Sequence, residues 1–316
     1  MKISFSYIYS KRGTTMNQIE EIQQLKKEKN AVILAHYYVD GEVQAIADYV
    51  GDSYYLSKLA TTLEADTIIF CGVRFMGESA KLLNQKKTVV MADEFADCPM
   101  AHMADIDTIE KVRRENEDVC VVCYVNSTAE LKAHSDVCVT SSNAITIVKA
   151  LPNQKIFFIP DSNLGHYVAA QVPEKDFIFN DGFCHVHTSI HREELEEAKL
   201  AHPEALVLTH PECTEDILEI SDFIGSTSEI IDYATSSDKN SFIICTEMGV
   251  FYELGQKNPE KKFYSVGHRQ FCPNMKRIRV EKVLHALQTL EPQVTLDKAL
   301  SEKANKPLVQ MLALAK

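Results

Sequence analysis

Residues 119–161 contain VCVVCYVN (119–126), VCVTSS (137–142) and IFFIPD (156–161), three apolar runs separated by segments of helical character at 129–133 and 144–150. The runs are rich in Val, Ile and Phe and apolar at successive positions. Strands of a parallel sheet covered by helices on both faces need that pattern. Strand and helix alternate, so the class is α/β. The first run ends in the polar triplet Tyr124-Val125-Asn126, the second in the hydroxyl-bearing turn Ser141-Ser142-Asn143, and the stretch beyond the third leads to Cys184.

The same order occurs twice more. The other triplets are His36-Tyr37-Tyr38 and His210-Pro211-Glu212, so the three begin 88 and 86 residues apart. The other turns are Gly51-Asp52-Ser53 and Gly225-Ser226-Thr227, and the other cysteines are Cys98 and Cys272. Triplet and cysteine lie 62, 60 and 62 residues apart in the three copies. Each copy also carries a small pair, Met76-Gly77, Leu164-Gly165 or Met248-Gly249, after its third strand candidate. A fixed period of this size marks repeated architecture. The expectation is three homologous, small, doubly wound α/β sandwich units at 20–105, 106–192 and 193–280, in pseudo-threefold symmetry around a central site. An N-terminal extension covers 1–19. A closing helix (VEKVLHALQTL) and a polar tail with Pro292 cover 281–316. Glu42–Val50 is expected to be helical. Ligands in doubly wound sheets bind beyond the carboxyl ends of strands, where the triplets and turns stand.

If the three units share an axis, Cys98, Cys184 and Cys272 converge on it, as a metal or iron–sulfur site with one coordination position open. Pro99 and Pro273 favour an extended or turn backbone at two of these cysteines. Buried, inert thiols are the usual fate of intracellular cysteines, and Cys71, Cys120, Cys138 and Cys245 fit it inside apolar runs. Cys120 and Cys123 lie three apart in a strand candidate and so point to opposite faces, which rules them out as a chelating pair. In the triplets the first and third residues face the same way. His36, Tyr38, Tyr124, Asn126, His210 and Glu212 would thus supply imidazoles, phenols, an amide and a carboxylate to one cavity, an acid/base set. Ser53, Ser141 and Ser226-Thr227 precede helix candidates, where a hydroxyl caps the helix and the N-terminus favours an anion. His187 lies within reach of metal or substrate, and substrate is the assignment because three cysteines already serve the cluster.

A net charge of −12 argues against a broad grip on nucleic acid. Nine cysteines in a chain of 316 residues suit a reducing compartment rather than a disulfide framework. The N-terminal stretch MKISFSYIYSKRGTTM lacks a sustained apolar core and a cleavage site, so it reads as a short extension upstream of a second candidate start at Met16. No run approaches the roughly 18 apolar residues of a membrane span. The expected location is cytoplasmic.

The strings AHYY, GDS, CPMA, YVN, TSSNA, PDxNLG, CxVH, HPE, GST and CPxMK, in this order from about residue 20 to about 290, resemble the quinolinate synthase family. The resemblance implies three α/β domains around one [4Fe–4S] cluster per chain, held by Cys98, Cys184 and Cys272. It also implies condensation of iminoaspartate with dihydroxyacetone phosphate to quinolinate for NAD biosynthesis, with an open iron as Lewis acid. By the same resemblance His36, Ser53, Tyr124, Val125, Asn126, Ser141, His210, Pro211, Glu212 and Thr227 contact substrate. Tyr38, Tyr124, His187, His210 and Glu212 move protons. An L-aspartate oxidase or aspartate dehydrogenase is the implied supplier of iminoaspartate. Some relatives carry two further cysteines before the third ligand; Arg269 and Val266 stand there, so a thiol switch of that kind is not expected. An iron–sulfur hydro-lyase and a non-catalytic iron–sulfur or zinc sensor are the alternatives.

Overall fold

The computed structural model describes residues 16–315, so residues 1–15 of the expected N-terminal extension lie outside the described residues. Each apolar run becomes a short parallel strand. The first sheet holds Ala31–His36 (β1), Tyr49–Gly51 (β2), Thr67–Cys71 (β3) and Thr88–Met91 (β4). The second holds Val119–Tyr124 (β5), Val137–Val139 (β6), Lys155–Ile159 (β7) and Asp176–Phe179 (β8). The third holds Leu206–Thr209 (β9), Phe223–Ile224 (β10), Ser241–Cys245 (β11) and Lys262–Ser265 (β12). Their orders are β2-β1-β3-β4, β6-β5-β7-β8 and β10-β9-β11-β12, one topology written three times. All pairings are parallel. The central strands β3, β5 and β11 are buried along their whole length, as sheets covered by helices on both faces require.

In each sheet the order reverses between the first and third strands, and a doubly wound sheet opens a ligand crevice at that point. Register places the ends of the paired strands side by side: Ala35 opposite Cys71, Cys123 opposite Ile159, and Thr209 opposite Cys245. Each triplet therefore begins at, or one residue from, the mouth of such a crevice.

The described residues pack as two compact units. The first comprises the residues up to Asp97 and Pro273–Thr295, and contains the first sheet. Its helix Val280–Thr289 packs on helix Met16–Glu28 and on β3, burying Val280, Val283 and Leu287. The second comprises Cys98–Cys272 and the segment from Leu296 on, and contains the other two sheets. Here helix Lys298–Leu314 lies against helix Ala129–Ala133, β6 and helix Ala144–Ala150.

Four local expectations are corrected. Residues 42–50 are not one helix: Gly41–Ile46 is helical, and Tyr49–Gly51 is a strand pairing with β1. Ser53 does not cap its helix, because Asp52 does, its Oδ1 accepting the Tyr55 N–H at 2.9 Å. Met248-Gly249 is not equivalent to Met76-Gly77 and Leu164-Gly165. Counted from the strand ends Cys71, Ile159 and Cys245, it falls two residues early, and Gly249 caps helix Val250–Lys257 where the other two glycines lie within helices. The tail is not a polar segment but the 17-residue helix Lys298–Leu314, capped by Asp297, with Ala304, Leu308 and Met311 on its buried face. No helix among the described residues is long and apolar enough to cross a membrane.

Candidate active site

In the second unit, strand ends bring four predicted residues into direct contact around Glu212. Tyr124, the last residue of β5, donates its hydroxyl to Glu212 Oε1 at 2.5 Å. His187, opening the 3-10 turn His187–Ser189, sets Nδ1 2.8 Å from Glu212 Oε2. Its Nε2 lies 2.9 Å from the hydroxyl of Thr246, just past β11. His210 stacks on His187 with ring centroids 4.7 Å apart, and its Nε2 lies 3.3 Å from the Ser141 hydroxyl. Tyr124, His187, His210 and Glu212 are all buried.

Water is largely excluded here, so each group's charge is set by its neighbours. Burial pushes the Glu212 carboxyl up. The His187 ring beside it at 2.8 Å, His210 and the Tyr124 hydroxyl outweigh burial and hold it well below the usual carboxylate range. Asp161 is the counterpart. It is fully buried just past β7, and burial, then the Glu212 charge, push its carboxyl well above the ordinary value despite the Leu164, Cys184 and Asn163 N–H groups. The two carboxyls are thus driven in opposite directions, Glu212 down and Asp161 up.

The two histidines that open triplets are fixed alike. His210 Nδ1 accepts the Glu212 N–H at 3.3 Å, and in the first unit His36 Nδ1 accepts the Tyr38 N–H at 3.2 Å. An Nδ1 that accepts leaves the proton of a neutral ring on Nε2, the atom facing away from the backbone. His36 is buried with its ring edge-on to Tyr38 at 4.5 Å. Ser53 is the first residue of helix Ser53–Ala60. Thr227 opens helix Thr227–Ser236, whose cap is Ser226 in a capping box with Glu229. Val125 and Pro211, the middle residues of their triplets, are buried, as is Asn126 Oδ1, which has no hydrogen-bond partner in the structure.

The three cysteines follow the fourth strands of their sheets. Cys98 precedes the 3-10 turn Pro99–His102, Cys184 lies three residues before His187, and Cys272 ends the first of the two segments that make up the second unit. The Cys98 thiol is pushed up to about 12 by burial and then by Cys272. The Cys184 thiol is pushed well above its ordinary value by burial, Glu212 and Cys98. Each of these thiols thus feels another of the set. Three neighbouring thiolates are disfavoured without a cation, and a cationic group among them relieves all three together. The donor set therefore fits a bound metal group. Cys184, His187 and Glu212 also offer ligand atoms within 4.8 Å of one another. Within that group His187 and Glu212 are already paired to each other, and Glu212 to Tyr124.

Sequence reasoning missed Asp161, Thr246 and Glu247. Glu247 is fully buried; its Oε1 accepts the Cys272 N–H at 3.0 Å and its Oε2 the Gly249 N–H at 2.6 Å. Asp161 and Glu247 stand at the same place in their copies, two residues beyond the third strand, and the first copy has Val73 there. The available signal was an acidic residue closing IFFIPD and SFIICTE.

A profile of the quinolinate synthetase A protein family matches residues 20–313. The chain is 50% identical over 296 residues to the quinolinate synthase of Fusobacterium nucleatum, covering 94% of this chain and 99% of that one. It is 49% identical over 295 residues to the quinolinate synthase of Caldicellulosiruptor saccharolyticus, covering 93% and 97%. The quinolinate synthase of Clostridioides difficile is 48% identical over 295 residues, with 93% and 97% covered.

Proposed function

The chain belongs to the quinolinate synthetase A family, a family of enzymes, and on that premise we propose that it condenses iminoaspartate with dihydroxyacetone phosphate. The products are quinolinate, phosphate and two waters, with no net redox change. The observation that carries this reading is the buried relay Tyr124–Glu212–His187–Thr246. Tyr124, Glu212 and His187 are assigned to the proton transfers of isomerisation and dehydration, with the Tyr124 hydroxyl delivering a proton to a departing or isomerising oxygen and the ionised Glu212 orienting that hydroxyl. His187 orients Glu212 and is itself oriented by Thr246. The Nε2–H of His36 and His210 and the hydroxyls of Ser53, Ser141 and Thr227 are assigned to substrate carboxylate and phosphate oxygens, Asn126 Oδ1 to a substrate donor, and Tyr38 to a further proton transfer. Cys98, Cys184 and Cys272 would hold one [4Fe–4S] cluster, which supplies Lewis acidity at its non-cysteine iron when bound. The same reading includes the three repeat units at 20–105, 106–192 and 193–280 in pseudo-threefold arrangement, a cytoplasmic location and an oxidase or dehydrogenase acting on aspartate as supplier.

The test is quinolinate formation by anaerobically reconstituted protein and by Glu212→Gln. The wild type should form quinolinate, and the variant should lose roughly 10²–10⁴-fold in kcat with its iron retained. Turnover of a hydroxy-acid alone would refute the substrate assignment. Zinc in place of iron and sulfide would instead favour the Cys184, His187 and Glu212 grouping.

A further inference from the structure

Two of the three triplets are gripped from behind by a buried side-chain donor at the same position. Lys132 stands eight residues after Tyr124, and Gln44 eight after His36. Lys132 Nζ donates to the Val125 carbonyl at 2.9 Å and, more closely, to the Ser127 carbonyl. Gln44 Nε2 donates to the Tyr37 carbonyl at 2.8 Å and the Val39 carbonyl at 2.9 Å. In each case the two carbonyls flank the third residue of the triplet, Asn126 or Tyr38. Lys132 is fully buried and Gln44 is 3% exposed.

The third copy has Leu218 at the corresponding position. There the middle residue of the triplet is Pro211, whose ring fixes φ without help. An ordinary apolar residue therefore suffices under a triplet that is already rigid. Burying an ammonium group costs several kcal/mol before its hydrogen bonds offset it, so local packing alone does not call for Lys132. What the two clamped copies share is a third residue whose side chain must be held in place. In the second copy that residue is Asn126, whose buried Oδ1 makes no hydrogen bond within the protein.

We propose that Lys132 and Gln44 are positioning residues that lock the carbonyls on either side of Asn126 and Tyr38 and thereby aim these two side chains at substrate. The catalytic half of this inference rests on the quinolinate-forming reading; the clamp itself does not. The loop is rigid because the donor bridges two carbonyls. A side chain that can still donate to both should preserve the loop, and one that cannot should release it.

Lys132→Gln exchanges one copy's solution for the other's, and Lys132→Met keeps the length without a donor. Both are compared with wild type in the reconstituted protein by amide hydrogen exchange over 124–131 and by steady-state quinolinate formation. Lys132→Met should speed exchange in this segment while β9 and β11 exchange as before. It should lower kcat/KM by roughly 10–100-fold, the scale of a reacting group misplaced by about an ångström. Lys132→Gln should recover most of both. Gln44→Met, read over 36–41, repeats the test in the first unit and serves if Lys132→Met does not fold. Unchanged exchange in the Met variants overturns the clamp. Faster exchange with unchanged kcat/KM overturns the positioning role. A wild type without quinolinate activity defeats the functional reading and leaves the exchange result to decide the clamp.

Discussion

Glu247→Ala removes one fully buried carboxylate and orphans two backbone donors, the N–H of Cys272 at 3.0 Å and of Gly249 at 2.6 Å. A buried donor left without an acceptor costs about 1–3 kcal/mol, and the half-buried Cys272 N–H costs less than the buried Gly249 N–H, so the variant should lose about 2–4 kcal/mol. Glu247→Gln keeps one acceptor and turns an amide donor toward the other N–H, for a loss of about 1–3 kcal/mol. Against a total stability of about 5–15 kcal/mol these are large fractions. At about 2–4 °C per kcal/mol for chains of 150–250 residues, the Gln variant should melt several degrees lower and the Ala variant lower still. The chain has no tryptophan, so far-UV circular dichroism on metal-free protein is the suitable probe. The Cys272 loop is also tied by Gln270, whose Nε2 donates to the Ile244 and Thr246 carbonyls. The loop should therefore loosen without detaching, and iron uptake on anaerobic reconstitution should fall without vanishing. A Glu247→Ala protein that melts with wild type and takes up wild-type iron would show that water substitutes fully for the carboxylate, and the reasoning would be wrong.

Tyr124→Phe removes the hydroxyl that Glu212 accepts at 2.5 Å; quinolinate formation, followed by absorbance, should fall roughly 10²-fold, and the melting temperature should fall by several degrees because a buried carboxylate loses a donor. Asp93 tests pH linkage in the first unit. Burial pushes its carboxyl up, but Lys282, the Phe95 N–H and Arg277 outweigh it, and the net shift is below the ordinary 3.8. A lowered folded pKa means that the contribution is present above the unfolded value and disappears as pH falls through the folded one. Asp93→Asn should cost about 1–2 kcal/mol at neutral pH, discounted because Lys282 and Arg277 are partly exposed, and the gap in urea midpoints should close as pH falls below the ordinary 3.8 and through the lowered folded value. Leu308→Ala, on the buried face of helix Lys298–Leu314, should cost about 2–5 kcal/mol in thermal melts.

The sheets were legible because their strands are buried on both faces, and a continuous apolar run records that burial directly. β2 was not, since Tyr49–Gly51 is three residues long and attached to a helical pattern. The final helix is legible in the spacing of Leu300, Ala304, Leu308 and Met311, although polar residues between them and Pro307 within the helix mask the pattern. The contacts among Tyr124, His210 and Glu212 follow from triplets at strand ends, which fixed spacing reveals, while His187 is legible only from its place three residues after Cys184. Asp161 and Glu247 were harder. An acidic residue after a strand ordinarily caps the next helix, and Asp161 does accept the Leu164 N–H at 2.8 Å. That Glu247 also holds Cys272 depends on a loop 25 residues further on. Lys132 looked like any surface lysine of a short helix, and its burial is non-local.

The helix that covers Lys132's own helix begins at Lys298, long after β5–β8 have been made. During synthesis, therefore, helix Ala129–Ala133 and the edge strand β6 leave the ribosome before the helix that packs on them. The first sheet likewise waits for Pro273–Thr295, which belongs to its unit. Each unit thus gains a packing helix only from polypeptide made after its sheets, so a nascent chain halted before these helices exposes the apolar surfaces that they cover. Such species are aggregation-prone and are what chaperones engage. A prematurely terminated product should accordingly be cleared rather than accumulate as a partly competent enzyme.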